Sequence, residues 1–265
     1  MDGATLNRSD LQALGERLHG DFATADPFPH VVIDDFLPAD AIRELIDAFP
    51  PPGPGWEHFD DPNQLKYALR NEELMPPEIR SILRELNSQV FVEFLETLSG
   101  IKGLLPDPYF LGGGLHQIPR GGTLKVHADF DQHRKLRVDR RLNVLLYLNE
   151  DWHDDYGGHL ELWDPTMTRR VKRVAPIANR LVIFRTSDTS FHGHPDALTV
   201  PEGRYRRSLA WYYYTAPSTD RVGHNTVWAE GDLAAGWRGK LRRLTAPGGV
   251  SAARSHIGRG VSPSS

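Results

Sequence analysis

The sequence predicts a mainly β protein with helical support (α+β), a cupin-like jelly roll packed by N-terminal helices, and three observations predict it. Apolar residues recur at helical spacing up to Leu98, but from Pro108 the period drops to two. Eight short candidate strands follow, several separated by Gly, Pro, Asn or Asp, a punctuation that suits two stacked antiparallel sheets. Hydrophobic residues make up 39% of the 265-residue chain and 24 further positions are Gly, enough for an ordinary globular core.

Taken in order, Leu11 to Leu18 reads as a polar helix and Phe28 to Phe36 as a short strand. Pro38 opens a helix that runs to Phe49 and places Ile42, Leu45, Ile46 and Phe49 on one stripe. The run Pro50-Pro-Pro-Gly-Pro-Gly55 ends it, and a loop is expected to continue to about Leu65. Ile79 to Leu98 carries Ile82, Leu83, Leu86, Val90, Phe91, Phe94 and Leu95 at helical spacing, as one long or two consecutive helices bracing a sheet. His30 and Trp56 are assigned structural roles.

The strands are expected at Tyr109 to Ile118, Leu124 to Asp129, Leu142 to Leu148, His159 to Asp164, Val171 to Val174, Arg180 to Arg185, Ser190 to His194 and Arg206 to Tyr214. The mouth between two such sheets would hold a small ligand. After Thr215 the pattern turns irregular, with a short helix near Leu233 to Leu244 and a Gly/Ser-rich end from Gly248 that has the composition of a disordered segment. The chain therefore divides into N-terminal support (1–104), a β core (105–216) and a C-terminal extension (217–265), with one catalytic domain overall.

Composition also bounds function. A formal charge of −4 gives no general attraction to nucleic acid or to an anionic membrane. With no cysteine there is neither a disulfide, a thiolate zinc site nor a cysteine nucleophile. No apolar run approaches a membrane span, and the N-terminus lacks a signal-peptide pattern, so a cytoplasmic setting is expected.

The chemistry concentrates first in Thr123-Leu-Lys-Val-His-Ala-Asp129. On an extended strand, residues i and i+2 share a face roughly 7 Å apart, so His127 and Asp129 can bind one metal. The His-x-Asp pattern alone is unspecific, since it recurs at His58/Asp60, His153/Asp155 and His194/Asp196, in loop or turn settings. The pair at His127 is set apart by the Gly121-Gly122 turn before it and the apolar strand after it. A third ligand is available in Ser190-Phe-His-Gly-His194, from either histidine, and two histidines with one carboxylate make the facial triad of non-haem Fe(II).

A second constellation lies on Arg204-Tyr-Arg-Arg-Ser-Leu-Ala-Trp-Tyr-Tyr-Tyr214. Arg206, Ser208, Ala210 and Tyr212 share one face, and Arg207, Leu209, Trp211 and Tyr213 the other. With the first set inward, a guanidinium and a hydroxyl stand side by side in the interior. A buried guanidinium requires an anionic partner, and a carboxylate fits its fork in two hydrogen bonds.

These segments, with Asn143-Val-Leu-Leu-Tyr-Leu-Asn149, Gly157-Gly-His-Leu-Glu-Leu-Trp163 and Asn179-Arg-Leu-Val-Ile-Phe184, resemble the Fe(II)/2-oxoglutarate-dependent oxygenases of the prolyl-hydroxylase-like group. The resemblance covers roughly Tyr109 to Tyr214, and Pro29 to Pro50 looks like the strand-and-helix entry of such proteins. It implies a double-stranded β-helix with His127, Asp129 and His192 as catalytic iron ligands, His192 being favoured over His194 by the His-Gly-x-Pro pattern. It further implies that Arg206, rather than Arg207, binds the distal carboxylate of 2-oxoglutarate, with Ser208 and Tyr147 adding hydroxyl contacts. Gln117 stands where certain relatives carry a tyrosine that reaches this group.

Fe(II) with 2-oxoglutarate and O2 as co-substrates is the set the resemblance implies, and ascorbate is a further candidate cofactor. An intact Asp129 favours hydroxylation, desaturation or cyclisation, because halogenating members lack that carboxylate. A small metabolite or natural product, such as an amino acid or amino sugar, is the expected substrate. The loop Glu150-Asp-Trp-His-Asp-Asp155 and the mild acidity of the chain suit a cationic one. A prolyl residue of a protein or peptide is the alternative within the class; a non-catalytic jelly-roll sugar-binding protein and a zinc hydrolase are the alternatives outside it.

Overall fold

Asn7 starts the first helix, its side-chain oxygen accepting the backbone N–H groups of Ser9 (2.9 Å) and Asp10 (3.2 Å). With that cap, α1 runs Arg8–Thr24, well beyond the stripe Leu11 to Leu18. The computed structural model describes residues 5–218 and 223–228, and all of them fall within one compact unit. The helix expected near Leu233 and the Gly/Ser-rich end lie outside the described residues.

Strand β1 (His30–Ile33) and helix α2 (Ala39–Ala48) follow, as the apolar pattern predicts. The expected loop to Leu65 is instead a hairpin, β2 (Glu57–Asp61) and β3 (Gln64–Leu69). Its apolar content is too low to announce a strand; cross-strand pairing of β3 makes it one. Helix α3 (Pro77–Leu86) stops at Asn87, and α4 (Gln89–Ser99) ends at Gly100 with φ 72°. The Ile79 to Leu98 stretch is thus two consecutive helices.

The β region comprises β4 (Leu105–Pro106), β5 (Gly114–Ile118), β6 (Leu124–Ala128), β7 (Asp139–Tyr147), β8 (Leu160–Trp163), β9 (Arg170–Val174), β10 (Leu181–Arg185), β11 (His192–His194), β12 (Arg206–Thr215) and β13 (Val227–Trp228). All eight expected strands are present, as β5 to β12. The antiparallel order is β1-β10-β7-β12-β5-β3-β6-β11-β8-β9, a nearly closed barrel consistent with a double-stranded β-helix. Strand β3 makes one seam, pairing with β5 along Tyr67 to Leu69 and with β6 at Gln64 opposite Leu124.

Alternation along β7 and β12 divides the molecule. Leu142, Val144, Leu146, Leu209, Trp211 and Tyr213 face outward into a cluster with Leu45, Ile82, Leu86, Phe91, Phe94 and Leu98 of the helices. Burial of each such large apolar side chain contributes about 1.5–3 kcal/mol. The helices therefore hold one sheet rigid from behind while its opposite face stays free to build a site. Trp56 packs on Phe49, and His30 sets Nδ1 2.8 Å from the Phe28 carbonyl, so both serve structure.

Gly193 allows β6 and β11 to approach. A Cβ there would stand 2.8 Å from the carbonyl oxygens of both Leu124 and Lys125. Gly193→Ala is expected to separate the two strands and cost about 1–3 kcal/mol by overpacking, read as a lower urea midpoint, while the same change at the open Gly20, inside α1, raises it slightly.

Candidate metal centre

Antiparallel pairing sets His192 of β11 directly opposite His127 of β6, and Asp129 follows β6 by one residue. Each histidine turns Nδ1 to a carbonyl two residues back, His127 to Lys125 O at 2.8 Å and His192 to Ser190 O at 3.0 Å. A ring nitrogen facing a carbonyl carries the proton, which leaves Nε2 as a lone-pair donor. Those two Nε2 atoms lie 3.6 Å and 3.4 Å from the oxygens of Asp129. The three groups offer ligand atoms within 4.8 Å of one another, and the donor set suits Fe(II) with open positions. Burial pushes His192 down to about 4, so the neutral, ligating form prevails.

Two residues that the sequence reading did not single out complete this cluster. Asn143 Nδ2 donates to Asp129 Oδ2 at 2.6 Å, and Arg140 Nη2 lies 3.1 Å from the same oxygen. Arg140 is itself held by Nε donating to Asn143 Oδ1 at 2.8 Å, with its guanidinium 3.4 Å over the Tyr212 ring. Burial alone would raise Asp129, but Arg140, then the two histidines, hold it well below the usual carboxylate range. Simple alternation assigns Arg140 and Asn143 to opposite faces. A register shift between Tyr213 and Tyr214, opposite this part of β7, breaks that alternation and both side chains reach one cavity.

The cavity has a volume of about 240 Å³. Across it from the metal ligands stands Arg206, buried, with Nε donating to Gly158 O at 2.7 Å and Nη2 to the Tyr147 hydroxyl at 3.2 Å. Among the described residues it has no carboxylate partner. Gly158 must be glycine here: its φ is +68°, and a Cβ would come within 2.9 Å of Arg206 Cδ. Ser208 lines the same cavity, whereas Arg207 lies against the Phe49 ring outside it. His194 also lines it, with both ring nitrogens unpartnered among the described residues, and it pairs with Leu124 rather than joining the triad.

Gln117 is placed otherwise than expected. Its amide reaches back toward Pro50 O at 3.4 Å, and the adjacent His116 presents its ring to the cavity instead. On a strand, neighbours point to opposite faces, so a one-residue offset exchanges the two. The acidic loop Glu150 to Asp155 does not line the cavity. Its walls include instead Lys66 and Phe59 of the hairpin, and Thr226 and Trp228 from beyond the core. Trp228 pairs with His127 across β13 and β6, their rings 4.8 Å apart.

The comparisons with known proteins agree with this geometry. Residues 113–215 match the model of the 2OG-Fe(II) oxygenase superfamily, so the chain carries a domain of that class, whose metal and co-substrate are Fe(II) and 2-oxoglutarate. Within it the relatives are prolyl-hydroxylase-like. The mouse prolyl 3-hydroxylase OGFOD1 is 28% identical over 200 residues, covering 74% of this chain and 34% of that protein. The chain thus spans about a third of the length of the curated relative it matches. A Pseudomonas putida prolyl-4-hydroxylase superposes with a TM-score of 0.52 at 21% identity, covering 76% of this chain and 99% of its own. A Trichoplax adhaerens prolyl hydroxylase in complex with a peptide fragment gives 0.53 at 18%, covering 78% and 91%.

Support of Asp129 by Asn143 leads to a measurable expectation. Asn143→Ala should raise the dissociation constant for Mn(II), used as a stable stand-in, by about 10–100-fold in calorimetry, and lower the urea midpoint as well, since Arg140 Nε loses its acceptor.

Proposed function

We propose that this protein is a 2-oxoglutarate-dependent oxygenase that hydroxylates an unactivated C–H bond. The observation that carries the reading is the buried guanidinium of Arg206, without a carboxylate partner among the described residues, lining one cavity with His127, Asp129 and His192. A charge in that position is costly unless an anion meets it, and a dicarboxylate held at the metal brings its far carboxylate there.

His127, Asp129 and His192 would hold Fe(II), whose chemistry with dioxygen and the keto acid supplies the oxidising power. The chain's own contribution is binding and orientation. Arg206, the Tyr147 hydroxyl and Ser208 fix one end of 2-oxoglutarate, while Arg140 keeps Asp129 ionised and Asn143 keeps it aimed. Leu145, Leu160, Phe130 and Trp228 exclude water from the space between.

For the substrate, the name of the mouse relative supports a prolyl group in a peptide or protein. The modest cavity volume, about 240 Å³, supports a small metabolite or one inserted side chain as the part that reacts. A sugar-binding module does not need Arg206. A zinc hydrolase needs a general base; Asp129 is the only carboxylate among the described residues of the cavity wall, and burial holds the His116 and His194 imidazoles well below their usual range, which makes them weak bases.

Anaerobic addition of Fe(II) and 2-oxoglutarate is expected to give a weak visible absorption band, absent in His127→Ala and Asp129→Ala. In Arg206→Ala the affinity for 2-oxoglutarate should drop by about 2–5 kcal/mol. Succinate release on addition of prolyl peptides or small metabolites then reports turnover. An unchanged band in both ligand variants would refute the assignment.

A further inference from the structure

The cavity wall has more positive charge than metal and co-substrate binding require. Its charged side chains, among the described residues, are Lys66, Arg140, Arg206 and Asp129. Arg140 is committed to Asp129 and Asn143. Arg206, on the reading above, takes the co-substrate. Lys66 remains.

Lys66 stands opposite Phe59 in the β2–β3 ladder, and both side chains, with Gln64 two residues away, face the cavity. The carboxylates closest to it in the hairpin are already engaged. Glu57 pairs with Arg70, and Asp61 accepts the backbone N–H of Asn63 and the Gln64 amide. Among the described residues, Lys66 has neither an ion pair nor a hydrogen bond; its ammonium lies 5.3 Å from the centroid of the Phe59 ring. Burial lowers Lys66 to about 8, opposed by Asp129, which still leaves it mostly charged near neutral pH. His116, beside it on the next strand, is kept neutral by burial and by Lys66 itself.

Lys66 is half-buried, and Asp129, the one acid of this wall among the described residues, is engaged by Arg140 and Asn143, so the carboxylate of a ligand would be the first to meet this ammonium directly. We propose that the primary substrate carries a carboxylate that Lys66 binds, so that the enzyme is selective for acid-bearing substrates. This rests on the oxygenase reading. One compact ammonium beside a neutral imidazole suits a monoanion; a phosphate recruits several donors, which this corner does not offer. The same cations disfavour the cationic substrate that the acidic loop suggested.

The test uses the full chain loaded anaerobically with Mn(II). Binding of 2-oxoglutarate comes first, by calorimetry, in the unmodified protein and in Lys66→Met and Lys66→Arg. The loaded complex is then titrated with matched pairs, N-acetylproline and N-acetylprolinamide and the corresponding pairs of other amino acids, followed by tryptophan emission, since Trp228 lies against His127. Binding is expected from acids but not amides, weakened at least tenfold in Lys66→Met and largely retained in Lys66→Arg, with 2-oxoglutarate affinity within about threefold throughout. Equal binding of acids and amides, binding of neither, or no effect of Lys66→Met overturns the proposal. Loss of 2-oxoglutarate binding in Lys66→Met alone overturns it too, by placing Lys66 in the co-substrate site. Failure of the unmodified protein to bind 2-oxoglutarate sinks the parent reading as well.

Discussion

The antiparallel pairing of β6 with β11 is the constraint on which the rest of the structure depends. It sets His127 opposite His192, and because side chains alternate along each strand, one register alone turns both imidazoles into the cavity. A slip by one residue would present Val126 and Gly193 instead. The carbonyls that hold the two Nδ1 atoms belong to the same two chain segments, so one backbone arrangement determines both ring position and tautomer. Gly193 belongs to the same constraint, since the approach that brings the rings together leaves no room for a Cβ.

Electrostatics then divides the cavity into two ends. At one, the largely covered Asp129 is kept ionised by Arg140 and then by the two histidines, while Asn143 donates to it. At the other, Arg206 has hydrogen bonds from its fork to a carbonyl and a phenol but no countercharge among the described residues. Burial depresses Arg206 while Tyr147 opposes it. On the proposed reading the two ends differ in what would complete them, a cation at the triad and an anion at Arg206, and a metal-chelating dicarboxylate joins both requirements.

Much of this was legible in the sequence where a single strand carries the signal. His127 and Asp129 share a face by spacing alone, and the inward set Arg206, Ser208 and Tyr212 follows from alternation along an apolar strand that is buried on both sides. What was not legible depends on pairing between strands. Arg140 sits on the wrong face for its parity until the register shift near Tyr214 moves it. His116 and Gln117 differ by one position, and no local feature of β5 tells which points inward. Lys66 lay in a stretch whose Pro/Gly-rich entry and polar content read as loop; its strand forms by pairing with β5, information that sits some fifty residues away in the chain. Trp228 lies in a segment too short and irregular to be assigned from periodicity, and only its ladder with β6 places it.

The division between legible and illegible parts coincides with a division of labour. The triad, Arg206, Ser208 and Tyr147 all lie within residues 113–215, the region shared with the oxygenase superfamily. Lys66, Phe59, Gln64, Thr226 and Trp228, which close the same cavity, lie outside it on both sides in sequence. The reacting groups need an invariant geometry and so reside on the paired strands of the barrel, where packing against α3 and α4 holds them. Substrate choice needs only a wall of suitable shape and charge, and it can change without disturbing the ladder that carries the ligands. On the proposed reading the reaction class follows from the core, and the hairpin and the segment after β12 are where selection of the substrate would lie.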